Sequence, residues 1–81
     1  MSLEDLTPGA GARIATLDLP DVDAAMLRAM GLAEGERVCV LRRAPFGGPL
    51  HVRVGEASFA LARGLASSVT VVLDGPADGP V

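Results

Sequence analysis

Apolar and polar residues alternate with a period of two along five stretches of this chain and with a helical period along one. The run Arg13-Ile14-Ala15-Thr16-Leu17-Asp18 predicts a first strand, with Ile14 and Thr16 on one face. Leu19-Pro20-Asp21 breaks it. Val22, Met26 and Met30 then repeat at i, i+4, i+8, and Leu27 widens the stripe, which predicts a single short helix over residues 22–30. Asp21 is placed to cap that helix, and Asp23 suits its first turn. Gly31 follows as the residue that can turn left-handed without a Cβ penalty. That placement sets Leu27 and Leu32 at the two positions that touch in a Schellman motif.

Ala33-Glu34-Gly35-Glu36 reads as a tight turn with Gly35 at positive φ. Four more strands follow. Residues 37–43 carry Val38 and Val40 on one face and Cys39 and Leu41 on the other. Leu50, Val52 and Val54 alternate with His51 and Arg53; Ala57, Phe59 and Leu61 alternate with Ser58 and Ala60; residues 69–73 form the last strand. Residues 44–49, Ala-Pro-Phe-Gly-Gly-Pro, make a stiff loop, and residues 62–68 a short turn or one 3₁₀ turn. Five short strands in so few residues must close on themselves to hide their edges and share one core. The expected fold is therefore all-β with a short inserted helix, a small SH3-like β-barrel of about five strands. Residues 1–74 form one domain in this reading, and residues 75–81 a disordered tail.

Composition narrows the chemistry. At 81 residues, with 49% hydrophobic side chains, the chain holds one domain and one core, built from aliphatic residues plus Phe46 and Phe59. No apolar run reaches the ~18–20 residues of a membrane span, and the first residues lack the pattern of a signal peptide. Cys39 is the only cysteine, so no internal disulfide can form, and a cytoplasmic location is expected. There is no Trp, Tyr or Lys and a single His. Charge is uneven. Residues 1–36 hold seven acids and two arginines, whereas residues 37–63 hold five arginines and Glu56 alone.

These facts exclude several functions. His51 is the only candidate base, it lies on the outer face of an alternating strand, and no nucleophile motif surrounds it. A phosphate cradle needs a Gly-rich loop opening a helix, and here Gly9-Ala10-Gly11 opens a strand. One cysteine and one histidine, on neighbouring strands, cannot close a zinc site, which leaves at most a weak or dimer-bridging divalent metal. Asp18, Asp21 and Asp23 are better read as capping and solvating a helix start. The arginines of the middle segment could meet phosphates, but the net charge of −3 and the lack of stacking aromatics argue against nucleic acid. A proline-peptide groove fails for want of the same aromatics.

The stretch Leu27-x-x-Met30-Gly31-Leu32-x-x-Gly35, then Val38-x-Val40, then Ala44-Pro45-Phe46-Gly47-x-Pro49-Leu50-x-Val52, then Phe59-x-Leu61 and Val69-x-Val71, resembles the FeoA family of bacterial ferrous iron uptake. The opening Leu3-x-x-Leu6-x-x-Gly9 resembles the family's usual start. The chain departs from the family pattern at Gly48, where Asp is usual, at Met26, where a basic residue is common, and at Ala62, where Arg often follows the leucine. The resemblance implies an SH3-like barrel and a non-enzymatic accessory role without a tightly bound cofactor. The partner it implies is the cytoplasmic portion of a FeoB-type membrane GTPase, which would recruit the protein to the inner membrane without direct insertion; weak self-association also fits. Alternatives are a free-standing domain akin to the C-terminal domain of iron-dependent repressors, or a general protein-interaction module. Candidate partner-binding residues are Arg42, Arg43, Pro45, Phe46, Gly47, Pro49 and Arg53, with Phe46 either lidding the barrel or standing out as an anchor. Leu27, Gly31, Leu32 and Gly35 are expected to be structural.

Overall fold

The computed structural model describes residues 1–73. The tail expected at residues 75–81 lies outside the described residues. Strands β1 (Gly11–Leu17), β2 (Arg37–Arg43), β3 (Leu50–Val54), β4 (Ala57–Leu61) and β5 (Val69–Leu73) form one antiparallel sheet in the order β4-β3-β2-β1-β5. Helix α1 (Asp21–Ala29) joins β1 to β2. A single helical turn, α2 (Arg63–Ala66), joins β4 to β5, and a 3₁₀ turn (Leu3–Asp5) opens the chain. The fold is the expected SH3-like barrel, left open between β4 and β5.

The core forms because one face of each strand is aliphatic. Ile14, Val38, Val40, Leu50, Val52, Val69 and Val71 are buried, together with Leu3 and Leu6 from the N-terminal segment and Leu27 and Leu32 from the helix and its exit. Among the described residues no polar or charged residue is buried. Phe59 packs against the edge of this core, and Phe46 does not enter it, contrary to the composition argument.

Two β-bulges reset the alternation. In β1, Ile14 opposes Val71 but Thr16 opposes Thr70, so Ala15 is an extra residue and Thr16 turns outward instead of sharing the face of Ile14. In β2, Val40 opposes Val52 but Arg42 opposes His51, so Leu41 is the extra residue. Beyond it, Arg42 faces out with His51, and Arg43 falls on the inward side with Leu50.

Helix α1 buries a different stripe from the one its apolar spacing suggests. Ala24 and Leu27 face the core, whereas Val22 (80% exposed), Met26 (44%) and Met30 (37%) face outward. At 100° per residue the two stripes lie roughly 130° apart, and both are apolar, so spacing alone does not choose between them. The helix exit chooses. Leu32 N–H donates to Leu27 O (2.9 Å) and Gly31 N–H to Arg28 O (3.0 Å), which is the Schellman pair, and Leu27 and Leu32 are both buried. Fixing Leu27 inward turns Met26 and Met30 out. At the other end, Pro20 and not Asp21 occupies the cap position, with no side-chain cap bond; Asp21 is the first helical residue. From the last turn of the helix, Arg28 donates to both carboxylate oxygens of Glu34 (3.1 and 2.8 Å) and so ties α1 to the following turn.

Gly31 has φ +99°, and an added Cβ would meet Val54 Cγ1 at an ordinary 3.6 Å. The penalty of a side chain there is conformational, not steric crowding. Gly31→Val is therefore expected to destabilise the fold by ~1–3 kcal/mol in chemical denaturation, with m unchanged. The Glu34 carboxyl is pulled down to about 2, first by the Arg28 hydrogen bonds and then by its own backbone N–H. A folded-state value below the unfolded 4.5 stabilises the fold above that pH, and the contribution fades as pH falls toward 2. A carbon-detected NMR titration should place Glu34 near 2 in the parent and clearly higher in Arg28→Ala, where only the backbone N–H still lowers it.

Candidate functional site: a clamped hairpin tip

The β2–β3 connection, residues 44–49, is a tight hairpin loop. Ala44 N–H donates to Pro49 O and Gly48 N–H to Pro45 O, each at 3.1 Å. Phe46 (φ +58°) and Gly47 (φ +75°) are both left-handed, as the two central residues of a type I′ turn must be. Asn-Gly is the usual choice there; a bulky residue at the first position costs roughly 1–2 kcal/mol. Phe46 regains nothing from packing, because its side chain is fully exposed. It does not lid the barrel. The departure at Gly48 has a local cause: a Cβ at this position would lie 2.8 Å from Ala44 Cβ and 3.2 Å from Pro45 O, too close for the turn as built.

One arginine holds the loop from beneath, and a second ties the strand that enters it to the N-terminal segment. Arg63, at the start of α2, donates from Nε to Gly48 O (3.0 Å) and from a terminal nitrogen to Ala44 O (3.3 Å), and lies 3.8 Å from the Glu4 carboxylate. Arg43, turned inward by the bulge at Leu41, donates to Glu4 O (2.6 Å) and Leu6 O (3.0 Å). Both guanidiniums act as planar forks with several donors that gather backbone carbonyls. Sequence reasoning missed Arg63 altogether, since nothing in a linear pattern marks which carbonyls a distant side chain will meet.

The residues expected at a partner surface therefore separate. Arg42, Pro45, Phe46, Gly47 and Pro49 share the exposed tip, where an Arg42 terminal nitrogen lies 3.3 Å from His51 Nε2. For Arg42 to donate there, Nε2 must hold the lone pair and the ring proton must sit on Nδ1. Leu41, the bulge residue, adds an exposed apolar side chain on the approach to the tip. Arg43 is committed to the fold. Arg53 opposes Cys39 toward the other end of the hairpin, where both line a shallow cavity of about 420 Å³ with Arg37, Gly9, Gly11 and Gly55. Gly35, φ +89°, is structural: its N–H donates to Ile14 O, and its carbonyl accepts from Arg13.

Among the described residues no three His, Cys, Asp or Glu side chains gather as a metal site would require. Cys39 and His51 each sit opposite an arginine, Arg53 and Arg42, which opposes cation binding. Among the described residues no helix is long and apolar enough to cross a membrane.

The sequence model of the FeoA domain matches residues 1–73. The chain belongs to the FeoA family. Solved FeoA structures agree with it over nearly the whole length. FeoA from Chlorobium tepidum is 28% identical, with a TM-score of 0.87 over 93% of this chain and 71% of that one. Iron(II) transport protein A from Clostridium thermocellum is 31% identical, with a TM-score of 0.86 over 93% of this chain and 46% of that one. FeoA from Stenotrophomonas maltophilia, a prokaryotic SH3 domain protein solved in complex with zinc, is 36% identical, with a TM-score of 0.74 over 89% of each chain. A manganese-dependent transcriptional repressor shares the fold at 23% identity and a TM-score of 0.81, this chain covering 41% of its length. No curated protein sequence matches significantly. FeoA membership supports a role in ferrous iron transport, and the family and its SH3-like fold are generally non-catalytic.

The clamp and the strained tip should respond in opposite directions. Arg63→Ala removes two charge-assisted bonds to loop carbonyls and is expected to destabilise the fold by ~2 kcal/mol. Phe46→Asn places a residue tolerant of positive φ in the turn and is expected to stabilise it by ~0.5–1 kcal/mol. Urea denaturation of the two variants beside the parent checks both signs.

Proposed function

We propose that this FeoA-family chain is a non-enzymatic, cytoplasmic accessory protein of ferrous iron uptake that binds and modulates the GTPase portion of a FeoB-type membrane transporter through the β2–β3 tip. The observation that carries the reading is Phe46: fully exposed, in a backbone conformation unfavourable for it, on a loop held by Arg63 and by its own turn bonds. A pre-ordered loop loses little entropy on binding, so an aromatic displayed on it is an efficient anchor. Arg42 beside it adds a guanidinium suited to carboxylates at the rim of the partner's pocket. Nothing at the tip can act as a nucleophile, and the one imidazole is engaged by Arg42. A divalent ion would meet one thiol or one imidazole at a time, the arrangement of weak or copy-bridging binding rather than of a resident cofactor.

Binding to the purified GTPase domain at two salt concentrations tests this reading. Phe46→Asn should weaken binding at least tenfold, mainly through faster dissociation. Arg42→Ala should slow association at low salt and matter little at high salt. If both variants bind like the parent, the tip is not the contact. Arg53→Ala serves as the remote control.

A further inference from the structure

The outward stripe of α1 takes no part in the core or in the proposed partner contact. Val22, Met26 and Met30 form an exposed apolar ridge about two turns long, and Asp21 and Asp23 stand at its N-terminal end. The opposite end of the molecule carries the complement: one exposed aromatic, Phe46, on the loop, with the exposed Leu41 and the cation Arg42 at the end of the strand that leads into it. Methionine side chains are flexible and polarizable, and they accept aromatic rings well. The two features cannot meet within one chain. Residues 33–36 lead from the helix into the start of β2, Gly31 lies beside Val54 at the far end of β3, and the tip is at the other end of both strands. A seven-residue strand separates them by roughly 20 Å.

We propose that copies of this chain associate head to tail, with the Phe46 tip of one protomer seated on the Val22–Met26–Met30 ridge of the next. Charge supports the same pairing: Asp21 and Asp23 stand in the first turn of α1 at one end of the ridge, and the exposed Arg42 lies at the tip end of the hairpin. The two contact surfaces differ, so the interface is heterologous and leaves a free tip and a free ridge on every pair; association grows into short chains instead of stopping at a two-fold dimer. The tip that would engage the GTPase is covered in every protomer but one. Self-association therefore withholds the partner surface.

Analytical ultracentrifugation of the full chain tests this without any GTPase, so its outcome is independent of the function proposed above. The sedimentation coefficient should rise with concentration between about 0.05 and 1 mM, the range of a contact well below the ~1,000 Å² of a stable interface. Raising the salt from ~20 to ~300 mM should weaken association several-fold. In methyl-labelled protein the signals of Met26 and Met30 should move with concentration and that of Met1 should not. Phe46→Asn removes the tip and Met26→Arg removes the ridge; both positions are exposed, and each variant alone should remain monomeric. Mixed, the two variants retain one intact tip and one intact ridge between them and should form a one-to-one pair that grows no further. A parent monomeric to 1 mM, association untouched by either substitution, or a mixture that stays monomeric would overturn the proposal.

Discussion

The orientation of the hairpin depends on where Arg43 points. An aliphatic core is held by a force without direction, and many registers of five short strands would satisfy it about equally. The bulge at Leu41 breaks that degeneracy by placing Arg43 on the inner side of β2, where its guanidinium collects the carbonyls of Glu4 and Leu6. These bonds join the hairpin to the N-terminal segment, whose Leu3 and Leu6 in turn close the core. Shifting the register of β2 by one residue would point a guanidinium away from those carbonyls and turn Val38 and Val40 to solvent. One extra residue in a strand thus specifies the contacts of the chain's beginning as well as its middle.

The same bulge sends Arg42 outward and leaves the two arginines, adjacent in sequence, with unrelated work. One is structural, and the other is available at the tip. Arg63 then completes the underside of the loop. A loop held this firmly does not relax when its tip carries an unfavourable residue, so the strain at Phe46 persists in the free protein. Strain of this kind, with no packing to offset it, is better explained by what the ring meets outside the chain than by anything inside it.

Much of the fold was legible because the strand signal is local. The four strands from β2 to β5 begin and end where their alternation does, and the Leu27–Gly31–Leu32 helix exit follows from one glycine and two leucines. What failed to read from the sequence was non-local. Nothing near Ala15 or Leu41 announces a bulge; each is set by pairing with a strand distant in sequence. The helix showed two apolar stripes, and the longer one, Val22–Met26–Met30, is the exposed one, because the Schellman contact fixed Leu27 first. Of the candidate site, the loop and Arg42 lie together at one end of the hairpin, whereas grouping Arg43 with its neighbour ignored the bulge, and Arg53 looked close only because the hairpin's length was ignored.

The two surfaces left over after folding are at opposite ends of β2, and that polarity has a consequence for how they can be used. A weak end-to-end contact is negligible for a dilute small protein, since a dissociation constant near ~1 mM leaves almost every tip free at micromolar concentration. Tethering changes the arithmetic: two copies joined through short flexible tethers meet at effective concentrations of the order of millimolar. Under that condition a protomer bound through its tip still presents its ridge, and a second protomer can dock there by its own tip. Binding to a partner and binding to a copy then compete for the tip but cooperate through the ridge. On the proposed head-to-tail contact, the strained aromatic and the outward methionines are the two ends of one polar connector rather than separate features of the surface.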